Sequence, residues 1–298
     1  MAKTTRQAAI QAACGTTMWG IGGVLSNVIF NTSTASPAWL VSMRLTWAGI
    51  AMIIYSLIMH RPLLRVWHQR KGAIRLLLFG IVGVALAQFT YLLAIFYGNA
   101  AIATIMLSLV PAMITIVTCL RTRTAPRLID ALAIILALFG VFLLVTNGHL
   151  TQLHVAPIAI FWGLLAAVTG AAYTLLPRPL LAQEPPLVIV GWGLVIGALL
   201  MNAITPVWHI PTGLTPWTWV AVAFIVFGAT FLAYILYISS LKILRPAIAS
   251  MIGNLEPLTA TVLSIMFLSL GFHPLQLIGI VLVLGGVFMM SWTPKKKR

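Results

Sequence analysis

The feature that most constrains this chain is a succession of apolar runs, each about as long as a bilayer is thick. A helix needs about 20 apolar residues to span a membrane. Runs of that length cover approximately 8–30, 36–59, 73–97, 100–120, 127–146, 156–176, 187–208, 216–241, 246–268 and 274–293. The gaps between them are short, and none is large enough for a soluble domain. Only 7% of the residues are charged, against about a quarter in an ordinary soluble domain. The net charge of +15 does not indicate nucleic acid, because the basic residues are divided among short gaps and build no groove. Cys14 and Cys119 fall inside apolar runs and form neither a metal spacing nor a disulfide framework. Lys3 and Arg6 precede the first run as in a signal peptide. That run is too long for such a segment and has no convincing cleavage site, so it reads as a retained helix.

The basic residues lie in alternate gaps. Lys3 and Arg6, Arg61 to Arg75, Arg121 to Arg127, Arg178, Lys242 and Arg245, and the closing Lys295 to Arg298 share one side, which makes 17 of the 18. The exception, Arg44, is within the second run. Cytoplasmic loops carry the excess of Lys and Arg, so both termini are expected in the cytoplasm. One span more or fewer would scramble the pattern.

The chain also repeats itself. The hairpin Gln88–Pro111 returns 146 positions later as Tyr234–Pro257, placing Tyr91 on Tyr237, Ala101 on Ala247, Ala103 on Ala249 and Pro111 on Pro257. At the same offset Gly140-Val141-Phe142 falls on Gly286-Val287-Phe288, while Trp19-Gly20 matches Trp162-Gly163 at 143. Residues 1–150 and 151–298 are therefore expected to be two five-helix repeats within one membrane domain. Five is odd, so the second enters the membrane from the opposite side, as in many secondary transporters. The expected class is an all-α integral membrane protein of ten transmembrane helices in two inverted repeats.

Trp19-Gly20, Pro37 followed by Arg44, the hairpin with Ala101 and Ala103 ahead of Pro111, the Gly140-Val-Phe ending and their echoes together resemble the drug/metabolite transporter superfamily. The resemblance covers essentially the whole chain and is to EamA-type permeases, most similar to bacterial aromatic amino-acid exporters of the YddG type. It implies multi-pass residence in a bacterial inner membrane and outward movement of aromatic or neutral amino acids. It also implies a fold or gating role for Arg44.

Polar and aromatic side chains in spanning helices mark the places where chemistry could sit. Trp19, Gly23, Ser26 and Phe30 share one helical face, and Trp162, Ala166, Thr169 and Tyr173 repeat the spacing. Each stripe is either a cavity wall or a helix–helix seam of small and hydroxyl residues. Gln88 and Tyr91 share a face in the third run, as do Tyr234 and Tyr237 in the eighth. Tyr91 is too deep to belong to an interfacial aromatic belt. Ser108 matches Asn254, each just before a helix-breaking proline that frees the carbonyl four residues earlier. Those prolines, Pro111 and Pro257, are hinge candidates, together with the turn residues Gly98 and Pro246. Glu256 is the one acid deep within a run. A charge there is by default functional, and its open roles are binding a substrate amine, carrying a coupling proton or anchoring structure.

The six histidines form no metal set, and no cofactor is expected. No paired carboxylates, nucleophile–base pair or phosphate loop is visible, so an enzyme acting on lipid is disfavoured. A channel would show a ring of charges or a carbonyl filter. The reading is a secondary transporter of neutral or zwitterionic small solutes working by alternating access, with a multidrug or nucleoside-type permease of the same fold as the alternative. Phosphorylated solutes would require several Lys or Arg in the cavity. The expected partners are the solute and the lipid bilayer, and the chain is expected to act as a monomer, Gly193-x-x-x-Gly197 being a weak dimerisation signal.

Overall fold

A computed structural model describes residues 5–148, 154–241, 243–244, 252–268 and 271–292. The described regular elements are helical. Among the described residues, eight helices are long and apolar enough to cross a membrane: α1 (Thr5–Thr32), α2 (Pro37–Ile58), α3 (Arg70–Tyr97), α4 (Ala100–Thr122), α5 (Leu128–Thr146), α6 (Pro157–Leu181), α7 (Pro186–Ile204) and α8 (Pro216–Ser240). Two further apolar helices, α9 (Leu255–Leu268) and α10 (Pro274–Trp292), follow. Local chemistry sets the ends. Ser36 and Thr215 cap α2 and α8 by accepting from Trp39 N and Thr218 N, with proline in the first turn of each. Asn99 caps α4 in the tight turn after Gly98, accepting from Ile102 N at 2.9 Å.

Three helices are irregular inside. In α3, Phe79–Leu86 is a π-helical stretch, and in α8 the stretch Phe224–Leu232 is another. The two occupy nearly the same positions in the repeated hairpins. Helix α4 breaks between Leu107 and Val110, ahead of Pro111, and Ser108 Oγ turns back to the Thr104 carbonyl at 3.0 Å. Helix α9 begins just after Asn254, the counterpart of Ser108, and just before Pro257. Its described part is shorter than the run expected over 246–268, and Pro246 lies outside the described residues.

Packing between the halves is reciprocal. Helix α1 lies against α8 and α9, while α6 lies against α3 and α4; α2 packs on α7, and α5 on α10. In the α5–α10 seam a Cβ on Gly140 would come within 2.6 Å of the Gly279 carbonyl. A Cβ on Gly286 would come within 2.7 Å of the Ala133 carbonyl. Those contacts exchange under the 146-residue offset, and only glycine lets the backbones approach so closely. Gly193 and Gly197, read from spacing as a dimerisation signal, face Phe79 and Leu45 of this same chain. Their smallness is used inside the bundle.

Polar contacts identify the two ends. At one end Arg65 pairs with Glu184 at 3.3 Å, and Trp192 Nε1 donates to the Leu63 carbonyl at 2.9 Å. At the other, Thr34 N donates to the Thr212 carbonyl at 3.1 Å, and the His154 and His273 rings lie 5.7 Å apart. A buried core of Trp39, Phe79, Leu45, Met52, Leu92 and Ile95 ties the second, third and seventh helices together.

Candidate functional site

A cavity of about 720 Å³ lies among the helices, within the range of small-molecule sites. Helix α3 brings Phe79, Gly83, Ala87 and Tyr91 to it, four residues apart along one face, with Gln88 beside them. Helix α8 brings Tyr234, Tyr237 and Ile238, and Leu241 follows just past its end. The break in α4 supplies Ser108 and Pro111 on one side, and the residues around the start of α9 supply Gly253, Asn254, Glu256 and Pro257 on the other. The two copies of the hairpin thus meet at one space.

Aromatic rings form a continuous wall. Trp19 lies 5.5 Å from Tyr234 and 5.1 Å from Tyr237; Tyr173 lies 6.3 Å from Tyr234 and 5.4 Å from Phe79. Edge-to-face and tilted pairs at such separations are the favourable arrangements. Tyr91 is buried over Gly23, and its hydroxyl has no hydrogen-bond partner among the described residues. Such an orphan costs about 1–3 kcal/mol.

Two charges line the cavity, Arg44 from α2 and Glu256 from α9. Arg44 is 7% exposed and donates from Nε to Thr230 Oγ1 at 2.5 Å. Thr230 is itself in the π stretch of α8, where its hydroxyl reaches the Ile225 carbonyl five residues back at 2.8 Å. π stretches recur at functional sites because the wide turn re-aims side chains. An arginine at mid-membrane costs about 2.5–3.5 kcal/mol by insertion scales, which a single neutral hydroxyl offsets in part.

Of the residues singled out by sequence, Trp19, Arg44, Gln88, Tyr91, Ser108, Pro111, Tyr173, Tyr234, Tyr237, Asn254, Glu256 and Pro257 line this cavity. Four do not. Ser26 is buried beyond it and donates to the Gly22 carbonyl at 2.7 Å. Thr169 sits in the α3–α6 seam, 3.0 Å from Thr90 Oγ1. Trp162 packs on Phe161 and the core at the other end of α6, and Gly98 closes the α3–α4 turn against Ala94 and Ala159. The reason is length: a stripe of eleven positions runs about 16 Å along a helix, farther than the cavity reaches. Phe79, Gly170, Thr174 and Val190 line the cavity without having been singled out. The four-residue spacing from Phe79 to Tyr91, and from Gly170 to Thr174 beside Tyr173, is the signal that would have found three of them.

These features define a polytopic helical membrane protein organised around a central, solute-sized cavity with an aromatic wall. The EamA-like transporter family matches the chain over residues 6–146 and 157–292. An uncharacterized inner membrane transporter, YicL of Salmonella typhimurium, is 31% identical over 99% of this chain and 98% of its own length. An uncharacterized transporter of Bacillus subtilis, YwfM, is 26% identical over 94% and 92% respectively. One crystal structure shares the fold with a TM-score of 0.64 at 19% identity, covering 95% of this chain and 96% of that one. The chain belongs to the EamA-like transporter family.

Proposed function

We propose that the protein is a secondary transporter that exports amino acids, aromatic or otherwise neutral, by alternating access. One observation carries the reading: a single cavity of about 720 Å³ is lined by both copies of the repeated hairpin and walled by four connected aromatic side chains from three helices besides Phe79. Two family matches, one per half, together with the exchanged contacts of the α5–α10 seam, support two repeats related by a two-fold axis. With ten spans, five to a half, that axis lies in the membrane plane and both termini are cytoplasmic. The lining includes Pro177, Leu181, Pro186 and Leu241, which sit at helix ends beside the basic connections. The cavity therefore opens toward the cytoplasm, where an exporter loads. YicL's description as an inner membrane transporter supports a bacterial inner-membrane location.

The test is flux in proteoliposomes of a panel of labelled amino acids, with and without a pH gradient. Saturable, counterflow-competent movement of phenylalanine, tryptophan or leucine is the expected result. Movement of a cationic drug or a nucleoside with no amino acid moving replaces the substrate assignment. Flux that does not saturate and shows no counterflow points to a channel.

A further inference from the structure

The transporter reading leaves two charged side chains in the cavity without an explanation. Arg44 and Glu256 both line it, yet no ion pair joins them, although Arg65 and Glu184 at the end of the bundle do pair. The hydrogen bond of Arg44 uses Nε, which leaves the two Nη groups without partners among the described residues. The Glu256 carboxylate likewise has no hydrogen-bond or ion-pair partner among them. Symmetry of the fold does not require either group. At the hairpin offset Glu256 corresponds to Val110, which lines the same cavity, and α7, the second helix of its half as α2 is of the first, contains no charged residue.

We propose that Arg44 and Glu256 read the two ends of a zwitterion, the guanidinium taking a carboxylate and the Glu256 carboxylate taking an ammonium. This assignment rests on the transporter reading of the same cavity. A charge kept inside the bilayer without an opposite charge in contact is held at a cost. A ligand carrying one charge relieves one of the two groups and leaves the other uncompensated. A zwitterion relieves both at once and brings no net charge into the membrane. The free Nη pair presents the fork that suits bidentate contact with a carboxylate, and the hydroxyl of Thr230, fixed to the Ile225 carbonyl, holds that fork in place. The rings of Trp19, Tyr234 and Tyr237 offer the apolar surface for the remainder of the molecule. Specificity then comes from leaving one buried charge unpaired in every wrong complex.

The experiment is ligand-induced thermal stabilisation of the purified full-length protein in detergent, titrated with phenylalanine, phenethylamine (which lacks the carboxylate) and 3-phenylpropionate (which lacks the ammonium). The wild type is expected to bind phenylalanine at least about tenfold more tightly than either analogue. Glu256→Gln should erase the preference over 3-phenylpropionate while keeping that over phenethylamine, and Arg44→Gln should do the reverse. Where Arg44→Gln does not fold, Arg44→Lys retains the charge, loses the fork and should narrow the preference over phenethylamine; the glutamate variant decides independently. Glu256→Gln with an unchanged preference overturns the assignment, as does a wild type that binds phenethylamine as well as phenylalanine. If proteoliposomes show saturable flux of phenylalanine alongside either result, the transporter reading stands while this one falls. No binding by any of the three compounds, together with no amino-acid flux, overturns both.

Discussion

Trp19 and Trp162 hold matching places at the start of the stripes in α1 and α6, and the fold gives them different neighbours. Trp19 meets Tyr234 and Tyr237 at the cavity, whereas Trp162 meets Phe161 and the core with its Nε1 buried and without a hydrogen-bond partner among the described residues. Replacing both by alanine should separate the two settings. Trp19→Ala removes part of the wall and is expected to weaken apparent affinity for phenylalanine about tenfold, because aromatic contacts of this kind are worth about 0.5–1.5 kcal/mol beyond their buried area. Trp162→Ala is expected to lower stability by about 3 kcal/mol, as large-to-small core changes do, with affinity within about twofold of wild type. Ligand titrations followed by thermal shift read both quantities. Equal loss of affinity in the two variants would contradict the geometry. The residue types were legible in the sequence, since aromatic and hydroxyl side chains inside spans need a reason. Which end of each stripe faces the cavity was not legible. That depends on depth: Phe30 at the far end of the first stripe closes against Phe96 at 5.4 Å, and no spacing within α1 reports a partner on α3.

At the scale of elements, the break in α4 and the start of α9 fall at corresponding places, beside Pro111 and Pro257. Pro111 and Pro257 lack the N–H that would hold the carbonyls of Leu107 and Gly253, and Gly253, Leu107 and both prolines face the cavity. The break in α4 was legible, because proline announces itself. The π stretches Phe79–Leu86 and Phe224–Leu232 were not, since neither contains proline and the wide turn is settled by packing: Phe79 lies under Gly193 and against Tyr173, and Thr230 bonds Ile225 and Arg44. Kinked segments beside a binding space are suited to bending during a cycle. Pro111→Ala and Pro257→Ala restore a backbone hydrogen bond worth about 0.5–1.5 kcal/mol and stiffen the helix. Each is expected to slow initial flux of phenylalanine about three- to tenfold while leaving its thermal-shift affinity within about twofold. Unchanged turnover would show that the breaks shape the cavity without moving.

For the molecule as a whole, the question is which face the cavity meets. The first residue of the α1 stripe, Trp19, and the last of the α6 stripe, Tyr173, are the ones that line it. In the proposed inverted arrangement, two helices running in opposite directions present opposite ends of equivalent stripes to the same face, which would account for both. In the proposed inward-open arrangement the other face is closed by Phe30 on Phe96, Trp39 on Trp219 at 6.1 Å, and the Thr34–Thr212 tie. Accessibility measures this directly. In a background with Cys14 and Cys119 changed to serine, Thr174→Cys lies on the cavity wall between Tyr173 and Pro177, near the end of α6 that carries Arg178. Ser26→Cys lies in the closed half, where Ser26 is 1% exposed. A membrane-impermeant maleimide should modify Thr174→Cys in inside-out vesicles at least about tenfold faster than in right-side-out vesicles, because steric access and not thiol chemistry limits the reaction. Ser26→Cys should resist it from either side without substrate. Phenylalanine, by driving turnover, should slow labelling at Thr174→Cys and open Ser26→Cys to the outside. Labelling of Thr174→Cys from the outside alone would reverse the assigned orientation, and labelling of both positions at once would mean that the closed face is not a seal.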